Sequence, residues 1–326
     1  MIAPRVEEGF APGKVILLGE HAVVYGHPAV AASLNLGLRA RCAWDPDGPL
    51  RLSVDAPDVG ASAHDIPLRL AGPAVPEPLL GTVVEAVARC VLDRPEPSGA
   101  FSISLTSDLP PGRGMGSSAA LAIATLKAVD GATGHPSGAL AARANRIEEI
   151  FHGTPSGVDC AVIARGGVLQ FTKGAPPTVT PIPLARPVWV ALLDSGAPGS
   201  TLEQVAGVRA RRDAAPRVID ALFEEIAGLT RAGIDALERG ATAELGPLFD
   251  RCHAALAAVG VSTPDLDALV RLARAHGALG AKLTGAGGGG LVLALGDGPE
   301  GAQRVADGAR AQGVRAWVAE LGGQGG

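Results

Sequence analysis

The chain has 326 residues, 47% of them hydrophobic and 19% charged, a globular composition with enough apolar material for two modest cores. A formal net charge of −5 and a pI near 5.8 exclude a broad cationic surface, so neither nucleic acid nor an anionic membrane is an expected partner. An anionic substrate would need a local positive site.

The opening residues, MIAPRVEEGFAPGK, carry no apolar signal core. The apolar runs are strand-length or broken by Gly, Pro or charge, so no membrane span is expected and the location expected is cytoplasmic. Cys42, Cys90, Cys160 and Cys252 are scattered without metal spacing and are expected as buried, reduced thiols. Of 28 basic residues only four are lysines: Lys14, Lys127, Lys173 and Lys282. Where arginine is the default cation, a lysine is more informative than usual, because a compact ammonium differs chemically from a guanidinium fork.

In chain order, residues 15–18 form a short apolar strand. Residues 36–44 and 50–54 read as strands separated by a Pro/Asp/Gly turn at 45–49. Residues 55–78, rich in Pro, Ala and Gly, read as an irregular connection. Residues 79–92 have helical period, and 101–106 alternate as a half-buried strand does. A Pro/Gly loop at 110–116 precedes a helix of small residues at 117–129. A second helix at about 137–151 stops at Gly153. The tight segment 154–157 leads into a short helix at 158–164, a Gly-Gly break and a strand at 168–171.

Residues 173–187 hold five prolines and make the best boundary, dividing the chain into domains at 1–185 and 186–326. Beyond it come a strand at 188–193, helices at 214–238, 241–258 and 264–276, and a strand at 279–283. A glycine run, a strand at 291–295, a helix at 299–312 and a strand at 314–321 follow. With the three helices grouped, the order is β-α-β-β-α-β, the split pattern of a ferredoxin-like sandwich. The fold class expected is therefore α+β. No internal repeat is found.

Gly112, Gly114 and Gly116 stand at alternate positions and permit unusual backbone angles and close approach to a ligand. Ser117 and Ser118 then open a helix whose orphan N–H groups suit phosphate. The same pattern also fits a plain turn with a serine cap. The loop is neither a P-loop, because no Gly-Lys-Ser/Thr follows, nor a dinucleotide fingerprint, because the glycine spacing differs. Glu148 and Asp159, eleven residues apart across a sharp Pro/Gly turn, could return to one cavity. One carboxylate would then serve a metal and the other a proton. Each taken alone reads first as an ordinary surface or helix-start acid.

The motif PPGRGMGSSAA resembles the phosphate-binding motif of the GHMP kinases, named for galactokinase, homoserine kinase, mevalonate kinase and phosphomevalonate kinase. Within that superfamily, GKVILLGEHAVVYGHPAVA resembles the N-terminal motif of the mevalonate kinases, HGTPSGVD their catalytic segment and KLTGAGGGG their C-terminal glycine motif. The four lie in family order along almost the whole chain. The fold implied is a mixed α/β N-terminal domain plus a ferredoxin-like C-terminal domain, with the site in the cleft between them.

The resemblance implies an ATP-dependent kinase that phosphorylates the 5-hydroxyl of mevalonate in isoprenoid precursor biosynthesis. The cofactors it implies are ATP and Mg²⁺. It makes Pro111, Gly112, Arg113, Gly114, Met115, Gly116, Ser117 and Ser118 the cradle for the ATP phosphates. Asp159 becomes the base for the substrate hydroxyl and Lys14 its cationic neighbour, which would hold the carboxylate ionised and stabilise developing charge. Ser118 and Glu148 become the Mg²⁺ ligands. Glu149 is the competitor of Glu148, but adjacent helix residues point about 100° apart, and the spacing to Asp159 selects Glu148.

Glu20, His21 and Thr201 are implied on the substrate side, together with Lys14 and Asp159. Gly285, Gly287 and Gly288 would let the second domain approach the ligand, or form a flexible hairpin. A homodimer is expected by family analogy only. The alternatives are another GHMP kinase, acting on phosphomevalonate or a sugar, and a catalytically inactive metabolite sensor. Trp44, Trp189 and Tyr25 read as packing residues, and His64, His135, His253 and His276 show no ligand spacing.

Overall fold

The computed structural model describes residues 4–323 except 60, 69–80, 95, 111, 135–138, 153–156 and 175–176. Two sheets organise them. In the first, β1 (Arg5–Leu18) lies antiparallel to the long β2 (Pro28–Asp45). β2 also pairs with β5 (Ala100–Ser107) along its C-terminal half and with β6 (Val168–Thr172) along its N-terminal half. β3 (Arg51–Ala56) joins β5 in parallel, and β4 (Ala61–Pro67) and β7 (Thr178–Ile182) close the two ends.

Both strands expected at 15–18 and 36–44 are much longer than their apolar stretches. The exposed start of β1 is charged, and its backbone is held by β2 rather than by burial. Two corrections concern polar segments. The connection expected at 55–78 contains β4, and the boundary expected at 173–187 contains β7. Both are strands with mostly exposed side chains, so the alternation that marks a half-buried strand is weak in them.

The helix α2 (Ser117–Thr133) is almost wholly buried against β1 and β2. Its alanines let it lie close: a Cβ on Gly9 would stand 2.1 Å from Ala124 O. Around it pack α1 (Thr82–Leu92), α3 (Leu140–His152) and α4 (Val158–Arg165). Arg143 of α3 is a buried tie among them, pairing with Asp93 and with Asp130, each at 2.6 Å.

The second sheet contains β8 (Trp189–Asp194), β9 (Gly280–Thr284), β10 (Leu291–Leu295) and β11 (Ala316–Glu320). Its order is β11-β8-β10-β9, all antiparallel, which is the split sandwich expected from the element order. Between β8 and β9 run α5 (Thr201–Ala214), α6 (Pro216–Arg239), α7 (Thr242–Val259) and α8 (Pro264–Ala275), and α9 (Pro299–Arg310) precedes β11. Only Val208 of α5 is buried, so its sequence carries little apolar period. Its start is set instead by Ser200, whose hydroxyl accepts from Glu203 N–H.

The two sheets share one hydrophobic core and several polar links. Thr284 Oγ1 accepts from Ile16 N–H and donates to Ile16 O, at 3.1 and 2.8 Å. Gly322 N–H donates to Ser33 O at 2.7 Å, beside a single bridge between Leu34 and Leu321.

Candidate active site

The chemistry gathers where β1, α2, α3 and α4 meet. The pairing of β1 with β2 shifts register between Pro12 and Lys14, an irregularity of the kind that re-aims a side chain. Lys14 N–H donates to Met115 O at 2.9 Å, which ties the strand to the glycine loop. Lys14 Nζ stands 3.3 Å from Asp159 Oδ1, with Lys14 buried and Asp159 partly open. A Cβ on Gly116 would stand 2.8 Å from Ile163 Cδ1 and 3.0 Å from Lys14 Cγ, so the loop presses directly on this lysine.

Gly112, Gly114 and Gly116 have φ of +69°, +81° and +71°, the left-handed region that favours glycine. Gly116 is the cap of α2, and no side chain caps the helix. The plain turn with a serine cap is therefore set aside. A helix N-terminus opened by left-handed glycine and capped by no side chain is the arrangement of an anion site. Pro111 and residues 153–156 of the HGTPSGVD segment lie outside the described residues.

Glu148 is 2% exposed, whereas the neighbouring Glu149 is exposed, so the inward carboxylate is the one selected by spacing. Ser118 makes a side-chain hydrogen bond with it. Burial pushes the Glu148 carboxyl up to about 7; the Asp159 charge adds to the rise, while Ser118 and Lys14 oppose it. A buried carboxylate with another acid nearby and only one lysine is a place that gains from a divalent cation. Among the described residues no cluster of three or more His, Cys, Asp or Glu could hold a metal. Mg²⁺ needs no such cluster, since it binds through one or two carboxylates and keeps waters and phosphate oxygens. The oxygen set of Ser118 and Glu148 fits it.

His21 and Glu20 point toward the second sheet. His21, at φ +59°, contacts Ala286 O through Nε2 at 2.8 Å, and burial lowers its pKa. Glu20 is 1% exposed and forms an ion pair with Lys282 through Oε1, while its Oε2 is buried with no hydrogen-bond partner among the described residues. The loop from Gly285 to Gly290 has positive φ at Gly285, Gly287, Gly288, Gly289 and Gly290. Gly288 N–H donates to Val261 O and Gly290 N–H to Ala197 O, so this β9–β10 hairpin loop is tied at two points to its neighbours. Thr201 is exposed in the first turn of α5, beside Gly199, whose Cβ position is 2.8 Å from Gly287 O.

Two residues of this region were not singled out for the site from sequence. Lys282 was flagged only by the rarity of lysine. Asp194 had no local signal; it ends β8 and meets Arg113 of the phosphate loop, with Nε to Oδ2 at 3.4 Å.

The GHMP kinases N terminal domain profile matches residues 81–167, and the GHMP kinases C terminal profile matches residues 234–315. A mevalonate kinase of Thermococcus sibiricus is 36% identical over 299 residues, covering 87% of both chains. The crystal structure of the Methanococcus jannaschii mevalonate kinase superposes with a TM-score of 0.80 at 25% identity, covering 97% of this chain and 98% of that one. That of the L. major mevalonate kinase in complex with R-mevalonate does so at 0.84 and 24%, covering 98% and 97%, and shows the shared fold. By its 36% identity to the Thermococcus sibiricus relative over 87% of its length, the chain belongs to the mevalonate kinase family of the GHMP kinases.

Proposed function

We propose that this protein transfers the γ-phosphoryl group of ATP to the 5-hydroxyl of mevalonate, with Mg²⁺. The observation that carries the reading is the Lys14–Asp159 pair beside the uncapped start of α2. Asp159 accepts the hydroxyl proton as the oxygen attacks. Lys14 stabilises the charge that develops on that oxygen and on the phosphoryl group. The N–H groups of the glycine loop and α2 hold the phosphates. Ser118 and Glu148 would hold Mg²⁺, which when bound supplies charge neutralisation at the phosphoryl oxygens. His21 and Thr201 border the acceptor side.

The division at 185/186 is supported by the strand pairing: the first sheet ends at Ile182 and the second begins at Trp189. The four cysteines are free and buried, which supports a cytoplasmic location. Among the described residues no helix is long and apolar enough to cross a membrane.

A coupled assay across mevalonate, phosphomevalonate, galactose and homoserine tests the function. Mevalonate should give the highest kcat/KM. Preferred turnover of another alcohol would replace the substrate, and absence of turnover with every alcohol would favour a metabolite sensor.

A further inference from the structure

Arg113 sits within the phosphate loop, between Gly112 and Gly114. Its guanidinium rests against Asp194, but loosely. The 3.4 Å from Nε to Oδ2 exceeds the roughly 2.7–3.2 Å of a good N–H···O bond. Arg113 Nη1 is buried and has no hydrogen-bond partner among the described residues. A buried donor left unpaired is destabilising, because it has given up water without gaining a partner.

Asp194 is in the opposite condition. Its side chain is 0% exposed and well supplied without Arg113. Arg315 Nη2 reaches Oδ2 at 2.6 Å, and Gly196 N–H donates to Oδ1 at 2.8 Å. If Arg113 left, Asp194 would keep its two short partners. Arg113 would give up one long contact and a position in which one of its donors is unpaired. The grip is unequal, and the weaker end belongs to the loop.

We propose that the Arg113 guanidinium, and not only the backbone of its loop, binds the nucleotide's phosphoryl oxygens, resting on Asp194 in the nucleotide-free protein and moving to the phosphate when ATP binds. The proposal rests on the reading of residues 112–118 as the phosphate site. A guanidinium offers a planar fork that phosphate accepts through short, charge-assisted bonds, which Asp194 already receives from Arg315. The left-handed glycines on both sides of Arg113 give its backbone a choice of conformations. Asp194 belongs to the second sheet and Arg113 to the loop of the first, so the exchange also loosens one link between the two halves as the nucleotide enters.

Calorimetric titration of ATP, ADP and adenosine, with Mg²⁺ and without acceptor, tests the proposal in wild type, Arg113→Met and Asp194→Asn. Wild type should prefer ATP over adenosine. Arg113→Met should lose about 10- to 100-fold in ATP affinity, the worth of charge-assisted hydrogen bonds, with adenosine unchanged. Asp194→Asn should bind ATP as well as wild type or better, because the competing carboxylate is gone. Arg315→Met should weaken ATP, since it leaves Asp194 a firmer hold on Arg113; this exposed position decides the matter if Asp194→Asn does not fold.

An unchanged ATP-to-adenosine preference in Arg113→Met would overturn the proposal and leave the phosphate site standing. Equal weakening of all three ligands in Arg113→Met and Asp194→Asn would make the pair a structural clasp and also overturn it. A wild type with no preference for ATP over adenosine would remove the phosphate site itself.

Discussion

The Lys282 ammonium and the Glu20 carboxylate form an ion pair with side-chain exposures of 0% and 1%. Lys282 Nζ also donates to Leu283 O at 2.7 Å. Burial raises the Glu20 pKa, and the lysine opposes that rise. The pair joins the segment after β1 to β9, one residue from His21 and three from Gly285. Taking both charges out of water costs several kcal/mol per ion, which their mutual attraction must offset.

Breaking that pair from one side should be severe. Lys282→Met is expected to lose about 3–5 kcal/mol of stability, because Glu20 would be left buried and uncompensated. The double change Glu20→Met/Lys282→Met should recover most of the loss. Denaturant titration of the two variants checks this. A loss below about 1 kcal/mol in the single variant, the size expected of an exposed pair, would refute the account.

Glu148 sets a pH dependence. Its folded pKa of about 7 lies above the ordinary 4.5. A raised folded pKa means that the neutral form is favoured, so the associated stability is present below about pH 4.5 and lost as pH rises through about 7. In metal-free protein the decline should be about 3 kcal/mol, and Glu148→Gln should abolish it. Mg²⁺ must compete with the same proton. Apparent Mg²⁺ affinity should therefore rise with pH and level off above about 7 in wild type, and stay flat in Glu148→Gln. Stability curves and Mg²⁺ titrations at several pH values test both statements; parallel curves for the two proteins would contradict them.

Asp159→Asn should lower kcat by about 10²–10⁴-fold with ATP affinity retained, since the carboxylate serves the acceptor. Lys14→Met should also lower kcat. The 3.3 Å contact makes the two a unit, so the double variant should be well short of the product of the single losses. A double-mutant cycle on kcat is the measurement. Independent, multiplicative losses would dissolve the unit, and a near-normal Asp159→Asn would end its role as base.

The glycines of the phosphate loop should differ among themselves. Gly114 has open space around its Cβ position and only a left-handed φ to forbid a side chain. Gly114→Ala is expected to weaken ATP binding through backbone strain of about 1–3 kcal/mol. Gly116→Ala meets the same strain and also Lys14 and Ile163. It should lower kcat in addition to ATP affinity. Separate kcat and ATP KM values for the two variants decide this, and identical profiles would count against it.

Local chemistry was readable from the sequence wherever a short segment carries its own constraint. Three alternating glycines followed by two serines implied left-handed turns ahead of a helix start, and all three glycines adopt them. Glu148 was separable from Glu149 because helix geometry turns neighbours apart. The order of elements after residue 186 was enough for the split sandwich, since apolar period survives in strands buried on both faces and in α6 to α9. Polar strands such as β4 and β7 were not readable, because a strand with mostly exposed side chains is defined by its partner's hydrogen bonds and not by its own pattern.

Tertiary structure alone decided which charges meet. Glu20 and Lys282 are 262 positions apart, and nothing in GEH or KLTG states that one neutralises the other. The register shift that accompanies Lys14's placement beside Asp159 is a property of β1 against β2, not of the residues PGK. Arg113 was readable as part of a loop, but its loose contact with Asp194 exists only because the second sheet docks there. Coulomb attraction and desolvation act through space and depend on what surrounds each charge, so their outcome waits for the packed chain.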